Sequence, residues 1–128
     1  MEKLSFITGQ QHIGIPTRDI AKTVAFYEQF GFTTQWKEPE TSTPTFLELG
    51  NLVIETYLED EVADCNGGID HIALNVTDVE KARDYVIGEL GYSMLEDDIT
   101  FLPFYDKGVR FFTILGPNHE KVEFNQRL

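Results

Sequence analysis

The sequence is poor in cysteine, in basic residues and in long apolar runs, and each shortage excludes something. A single cysteine, Cys65, leaves no internal disulfide, so a reducing compartment is expected. Cys65 also sits in the acidic, Gly-rich run Ala63-Asp64-Cys65-Asn66-Gly67-Gly68, the opposite of the electropositive surroundings that activate a thiol. Ten Lys and Arg face 22 Asp and Glu, a net charge of −12, which argues against nucleic-acid partners. No apolar run approaches the roughly twenty residues of a membrane span. Met1-Glu2-Lys3-Leu4-Ser5-Phe6 lacks the apolar centre of a signal peptide. A cytoplasmic protein with neither a membrane nor a nucleic acid as partner is expected.

What is present is a repeat. His12-Ile13-Gly14-Ile15-Pro16-Thr17-Arg18-Asp19 is echoed 59 positions later by His71-Ile72-Ala73-Leu74-Asn75-Val76-Thr77-Asp78. At that offset Ile20 answers Val79, Lys22 answers Lys81 and Phe26 answers Tyr85; with one extra residue, Gly31-Phe32 answers Gly91-Tyr92. A fixed-offset self-match signals internal duplication. The 128 residues therefore read as a single domain, 1–128, built of two modules, 8–59 and 68–126. Either module alone is marginal in size, so the two are expected to pack together or to pair with another copy.

Each module reads as β-α-β-β-β. In the first, residues 10–17 form a strand, and Asp19 caps a helix with the apolar stripe Ile20, Val24, Tyr27 that ends at Gly31. Phe32–Trp36 reads as a strand, a Pro- and Thr-rich loop runs through Pro44, and Thr45–Leu49 and Leu52–Leu58 form a hairpin at Gly50-Asn51. The acidic, Gly-containing stretch 60–68 is the linker. In the second module, Ile69–Thr77 is a strand, and Asp78 caps a helix whose Val79, Ala82, Val86 and Leu90 face inward. Strands are then expected near 92–96, 108–115 and 120–125, with Gly116-Pro117-Asn118 turning between the last two. Phe101–Tyr105 is consistent with either a strand or an ordered aromatic loop. The acidic runs at 59–61 and 96–98 lack the spacing of a calcium loop.

Strand alternation sorts the faces. Ile72, Leu74 and Val76 share one face and His71, Ala73, Asn75 and Thr77 the other; likewise Ile13 and Ile15 oppose His12, Gly14 and Pro16. The apolar face is expected under the helix, which leaves both histidines on the opposite face above small residues. Glu55 is a carboxylate inside the apolar strand Val53-Ile54-Glu55-Thr56-Tyr57, and Glu123 occupies the matching place in the last strand. A buried carboxylate needs a cation, a hydrogen-bond network or solvent. One strand His or Glu is more often hydrogen-bonded than metal-bound, but four at duplicated positions are not independent accidents. His12, Glu55, His71 and Glu123 are the candidate metal ligands. Their mixed N/O set suits nickel, zinc, cobalt, manganese or ferrous iron, nickel or zinc foremost. His119 has no counterpart in the repeat and is expected in solvent, and Glu48 is expected to face outward.

The chain resembles the vicinal oxygen chelate superfamily, and within it the glyoxalase I-like (lactoylglutathione lyase) proteins. The likeness rests on Gln11-His12-Ile13-Gly14, Phe26-Tyr27, Phe30-Gly31-Phe32, Leu52-Val53-Ile54-Glu55, Asp70-His71-Ile72-Ala73-Leu74 and Gly116-Pro117-Asn118-His119-Glu120-Lys121-Val122-Glu123-Phe124. It implies an α+β fold in which two βαβββ modules form a cupped mixed sheet around one divalent metal, and a homodimer. It implies Lewis-acid and general-base catalysis on a small thiohemiacetal or related α-oxygenated substrate, with Glu123 as the catalytic base and Glu55 its pseudo-symmetric partner. Arg18, Tyr57, Phe101, Phe104 and Arg110 are the candidate substrate-binding residues. Bacterial glyoxalases I commonly carry an Arg where this chain has Pro16, which puts glutathione in doubt as co-substrate. Alternatives within the superfamily are a ring-cleaving dioxygenase and an acyl-CoA epimerase, which usually has Gln at the place of Glu55. The alternative outside catalysis is a drug-sequestering resistance protein, a class that typically lacks the ligand quartet.

Overall fold

The structure, a computed structural model, describes residues 4–29, 31–115 and 120–128. The chain divides into two compact units, residues 12–70 and residues 1–11 with 71–128. This division differs from the sequence modules at one end. The first strand, β1 (Ile7–Thr17), begins earlier than the expected 10–17, and its residues up to Gln11 belong with the second module. They are held there by backbone and side-chain bonds, from Thr77 N–H to the Phe6 carbonyl (2.9 Å) and from the Asn75 amide to Thr8 Oγ1 (2.9 Å).

In the unit 12–70, β1 is followed by α1 (Ile20–Glu28), β2 (Thr33–Lys37), β3 (Thr45–Leu49) and β4 (Leu52–Leu58), the expected β-α-β-β-β order. Asp19 accepts from Lys22 N–H at 3.0 Å and caps α1. The sheet order is β2-β3-β4-β1, with β1 parallel to β4 and the other pairs antiparallel. Phe32, Leu47 and Ile54 form the core beneath α1, joined by Ile15, Val24, Tyr27 and Leu52.

In the other unit, β5 (His71–Val76) leads into α2 (Val79–Arg83), which continues as a π-helical segment, Asp84–Glu89; β6 (Thr100–Leu102), β7 (Val109–Leu115) and β8 (Lys121–Arg127) follow. The order is β5-β8-β7-β6, with β5 parallel to β8 and the rest antiparallel. Phe6, Val76, Val79, Ala82, Val86, Phe112, Ile114 and Phe124 make the core. The fold is α+β, two βαβββ modules of mixed parallel and antiparallel strands.

Several expectations are corrected. No strand forms over 92–96. Leu95 N–H bonds the Thr113 carbonyl (2.8 Å), but the next donor of β7, Thr113 N–H, is taken by the Glu96 carboxylate (2.7 Å), so a side chain ends the ladder after one bond. The edge strand is β6 instead, which resolves the open reading of 101–105 in favour of a short strand running into a loop. Leu90 is 52% exposed, because the wider π-helical turn carries it off the inward stripe that Val79, Ala82 and Val86 occupy. Ile72 has the expected parity yet is 43% exposed. The core beneath α2 begins further along the strand, with Leu74 and Val76. Glu48 is half-buried and accepts from the Gln35 amide at 3.0 Å rather than facing solvent. The turn at 116–118 and His119 lie outside the described residues.

Candidate functional site

Each unit carries one His–Glu pair, built the same way. In the first, parallel pairing of β1 and β4 sets Gly14 opposite Glu55. Glu55 thus stands beside the residue two positions beyond His12. His12 Nε2 lies 3.3 Å from Glu55 Oε1, and both residues are buried, at 2% and 9% exposure. The Phe46 ring meets the imidazole edge-on, with centroids 5.3 Å apart. In the second, parallel pairing of β5 and β8 sets Ala73, two positions beyond His71, opposite Glu123. His71 Nε2 lies 3.7 Å from Glu123 Oε1. The duplication therefore reproduces the register as well as the residue types. In both places a small residue, Gly14 or Ala73, sits across from the carboxylate.

The donor set fits a divalent metal. Two ligand atoms each about 2.1 Å from one ion stand roughly 3 to 3.5 Å apart at octahedral or tetrahedral angles, close to the separation within each pair. Each pair offers an imidazole nitrogen and a carboxylate oxygen, and burial makes an uncompensated carboxylate costly in each.

Tyr57 follows Glu55 by two residues in β4 and is half-buried. Burial, then the Asp70 carboxylate to which its hydroxyl donates, pushes that hydroxyl far above the usual tyrosine range, so it stays protonated. The Arg18 guanidinium is bound by Asp64 and by the Asp60 carbonyl (3.2 Å). Arg110 pairs with Glu80 of α2 at 3.1 Å and shares its strand face with Phe112 of the core, the face opposite Glu123. Phe101 is 55% exposed and its ring lies over Gly108, whose φ of +90° and lack of a side chain permit that approach. Phe104 is half-buried. Gln11, Asn75 and Asn125 form a hydrogen-bonded amide group leading to Glu123. Sequence reading gave these three no role, although the alternation places Asn75 with His71 and Asn125 with Glu123.

The glyoxalase/bleomycin resistance protein/dioxygenase superfamily model matches residues 11–102. The chain belongs to that superfamily. Uncharacterized protein YwbC of Bacillus subtilis (strain 168) is 33% identical over 126 residues, 91% of this chain and 95% of the relative. Among solved structures, methylmalonyl-CoA epimerase from Mycobacterium tuberculosis has a TM-score of 0.74 at 18% identity, covering 97% of this chain and 91% of that one. The Mn(II)-bound glyoxalase from Novosphingobium aromaticivorans has a TM-score of 0.66 at 17% identity, covering 94% of this chain and 39% of that one. At such identities the structural likeness shows the fold. The superfamily is mostly enzymatic, with epimerases, dioxygenases and glyoxalases on one scaffold. Among the described residues no helix is long and apolar enough to cross a membrane.

Proposed function

We propose that the protein is a metal-dependent lyase or isomerase of the glyoxalase I type, moving a proton on a thiohemiacetal or related α-oxygenated substrate. The observation that supports this reading best is the repeated register, a His and a Glu brought side by side in each unit with a small residue opposite each Glu. His12, Glu55, His71 and Glu123 would hold the cation, and nickel or zinc suits the donor set, with manganese, cobalt and ferrous iron also compatible. When bound, a divalent cation supplies a Lewis acid for charge developing on substrate oxygens. The chain's own residues do the rest. The imidazoles fix two donors, and the Glu123 carboxylate would loosen its hold on the cation to take the proton, then return it. The Phe46 ring packs edge-on against the His12 imidazole and helps hold its orientation. A homodimer is part of the same proposal.

The test is turnover of methylglyoxal with glutathione, bacillithiol or cysteine in the presence of nickel, zinc or cobalt. The reading expects activity with one thiol that chelation removes and that Glu123→Ala abolishes. Activity unaffected by both treatments, or none with any thiol, contradicts it.

A further inference from the structure

Glu123 and Glu55 hold matching places in the repeat, but their surroundings have diverged. Two residues beyond Glu123 on the same strand face stands Asn125, 3% exposed. Its side-chain amide donates to Glu123 Oε2 at 2.8 Å. Asn125 pairs across the sheet with Asn75. The Gln11 amide donates to Asn125 Oδ1 (2.9 Å), to the Asn125 carbonyl (3.0 Å) and to Asn75 Oδ1 (3.0 Å). Asn75 in turn donates to Thr8 Oγ1 at 2.9 Å.

These bonds fix direction. Gln11 donates, so the Asn125 carbonyl end must face it, and the Asn125 NH₂ must then face the carboxylate. Turning Asn125 over would set two NH₂ groups against each other and an amide oxygen against Oε2, an arrangement with no compensating bond. Glu123 is therefore held by one oxygen while the other, Oε1, is turned to His71. The other module cannot repeat this amide chain, because Pro16 stands at the place of Asn75 and Tyr57 at the place of Asn125. A proline and a phenol cannot form that amide chain.

We propose that Asn125, oriented by Gln11, is a positioning residue that pins Oε2 of Glu123 and so presents Oε1 alone to a divalent cation. This rests on Glu123 being a metal ligand. Groups that hold a ligand from behind usually matter to metal affinity almost as much as ligands do. The alternative is that the amides only join β1 to β5 and β8. That role would contribute to stability but would not alter a bound metal.

Cobalt(II) is the probe, because its visible absorption reports ligand geometry without any substrate. Asn125→Ala is expected to weaken Co(II) binding about 10- to 100-fold and to change the absorption band. Its loss still leaves the Gln11 amide two acceptors, the residue 125 carbonyl and Asn75 Oδ1. Gln11→Met is expected to shift both readouts the same way but less. The double variant should match Asn125→Ala, since Gln11 reaches the metal only through Asn125. Wild-type affinity and spectrum in Asn125→Ala, or additive losses in the double variant, overturn the inference. If Asn125→Ala does not fold, Gln11→Met carries the test, and wild-type values there overturn it. Glu123→Ala separates the two levels: if it binds Co(II) as wild type does, the ligand assignment fails, and the inference with it. If it loses Co(II) while Asn125→Ala does not, only the inference fails.

Discussion

Phe112 is fully buried and stacks on Phe124 with ring centroids 5.0 Å apart, at the centre of the unit that carries Glu123. Phe112→Ala is expected to cost about 3–5 kcal/mol in denaturant unfolding, the usual range for a buried aromatic. At the surface, Glu38 shows a different kind of residue effect. The backbone N–H of Thr41 and then that of Glu40 bond its Oε1, at 2.8 and 2.6 Å, and hold its carboxyl below the ordinary value of 4.5. A depressed carboxyl stabilises its loop above the ordinary value, and that contribution is lost as pH falls through the lowered one. The Thr41 amide resonance should therefore titrate with a midpoint below 4.5; a midpoint at or above it contradicts the bond. Single-residue chemistry was unevenly legible in the sequence. The histidines and glutamates could be read because duplication repeats them. Gln11, Asn75 and Asn125 could not be, since their importance lies in which amide faces which, a matter of three strands meeting.

Among the elements, the second helix is the informative one. Asp19 to Gly31 spans one residue fewer than Asp78 to Gly91, and the structure absorbs the extra residue by widening α2 into a π-helical turn, with Leu90 N–H reaching the Tyr85 carbonyl at 2.9 Å. Deleting Gly88 should then cost less stability than deleting Lys22 from α1, where removal of one residue turns the apolar stripe by about 100°; paired urea titrations compare the two. Equal or greater loss for the Gly88 deletion contradicts the account. The caps make a second comparison. Asp78→Ala removes the oxygen that accepts from Lys81 N–H at 3.1 Å and should cost about 1 kcal/mol, as should Asp19→Ala. Caps, stripes and the hairpin at Gly50 were legible because their signals are local. The strand expected at 92–96 was not, because a Glu96 side chain takes a donor that only the folded chain brings near.

At the scale of the molecule, the repeat carried the order of the elements but hid the seam: residues up to Gln11 precede the first module in sequence yet pack with the second. Ile72, Tyr92, Leu95 and Phe101 remain substantially exposed within one chain, which accords with the proposed homodimer; sedimentation should give twice 14.6 kDa, and a monomer at micromolar concentration contradicts it. The proposed function requires that the duplicated His–Glu pairs hold one cation. Isothermal titration of chelator-treated protein with zinc and nickel tests it most directly. About one metal per chain is expected, with each of His12→Ala, Glu55→Ala, His71→Ala and Glu123→Ala weakening binding by roughly 100-fold or more. Equal uptake by wild type and all four variants, or no uptake by wild type, would contradict it.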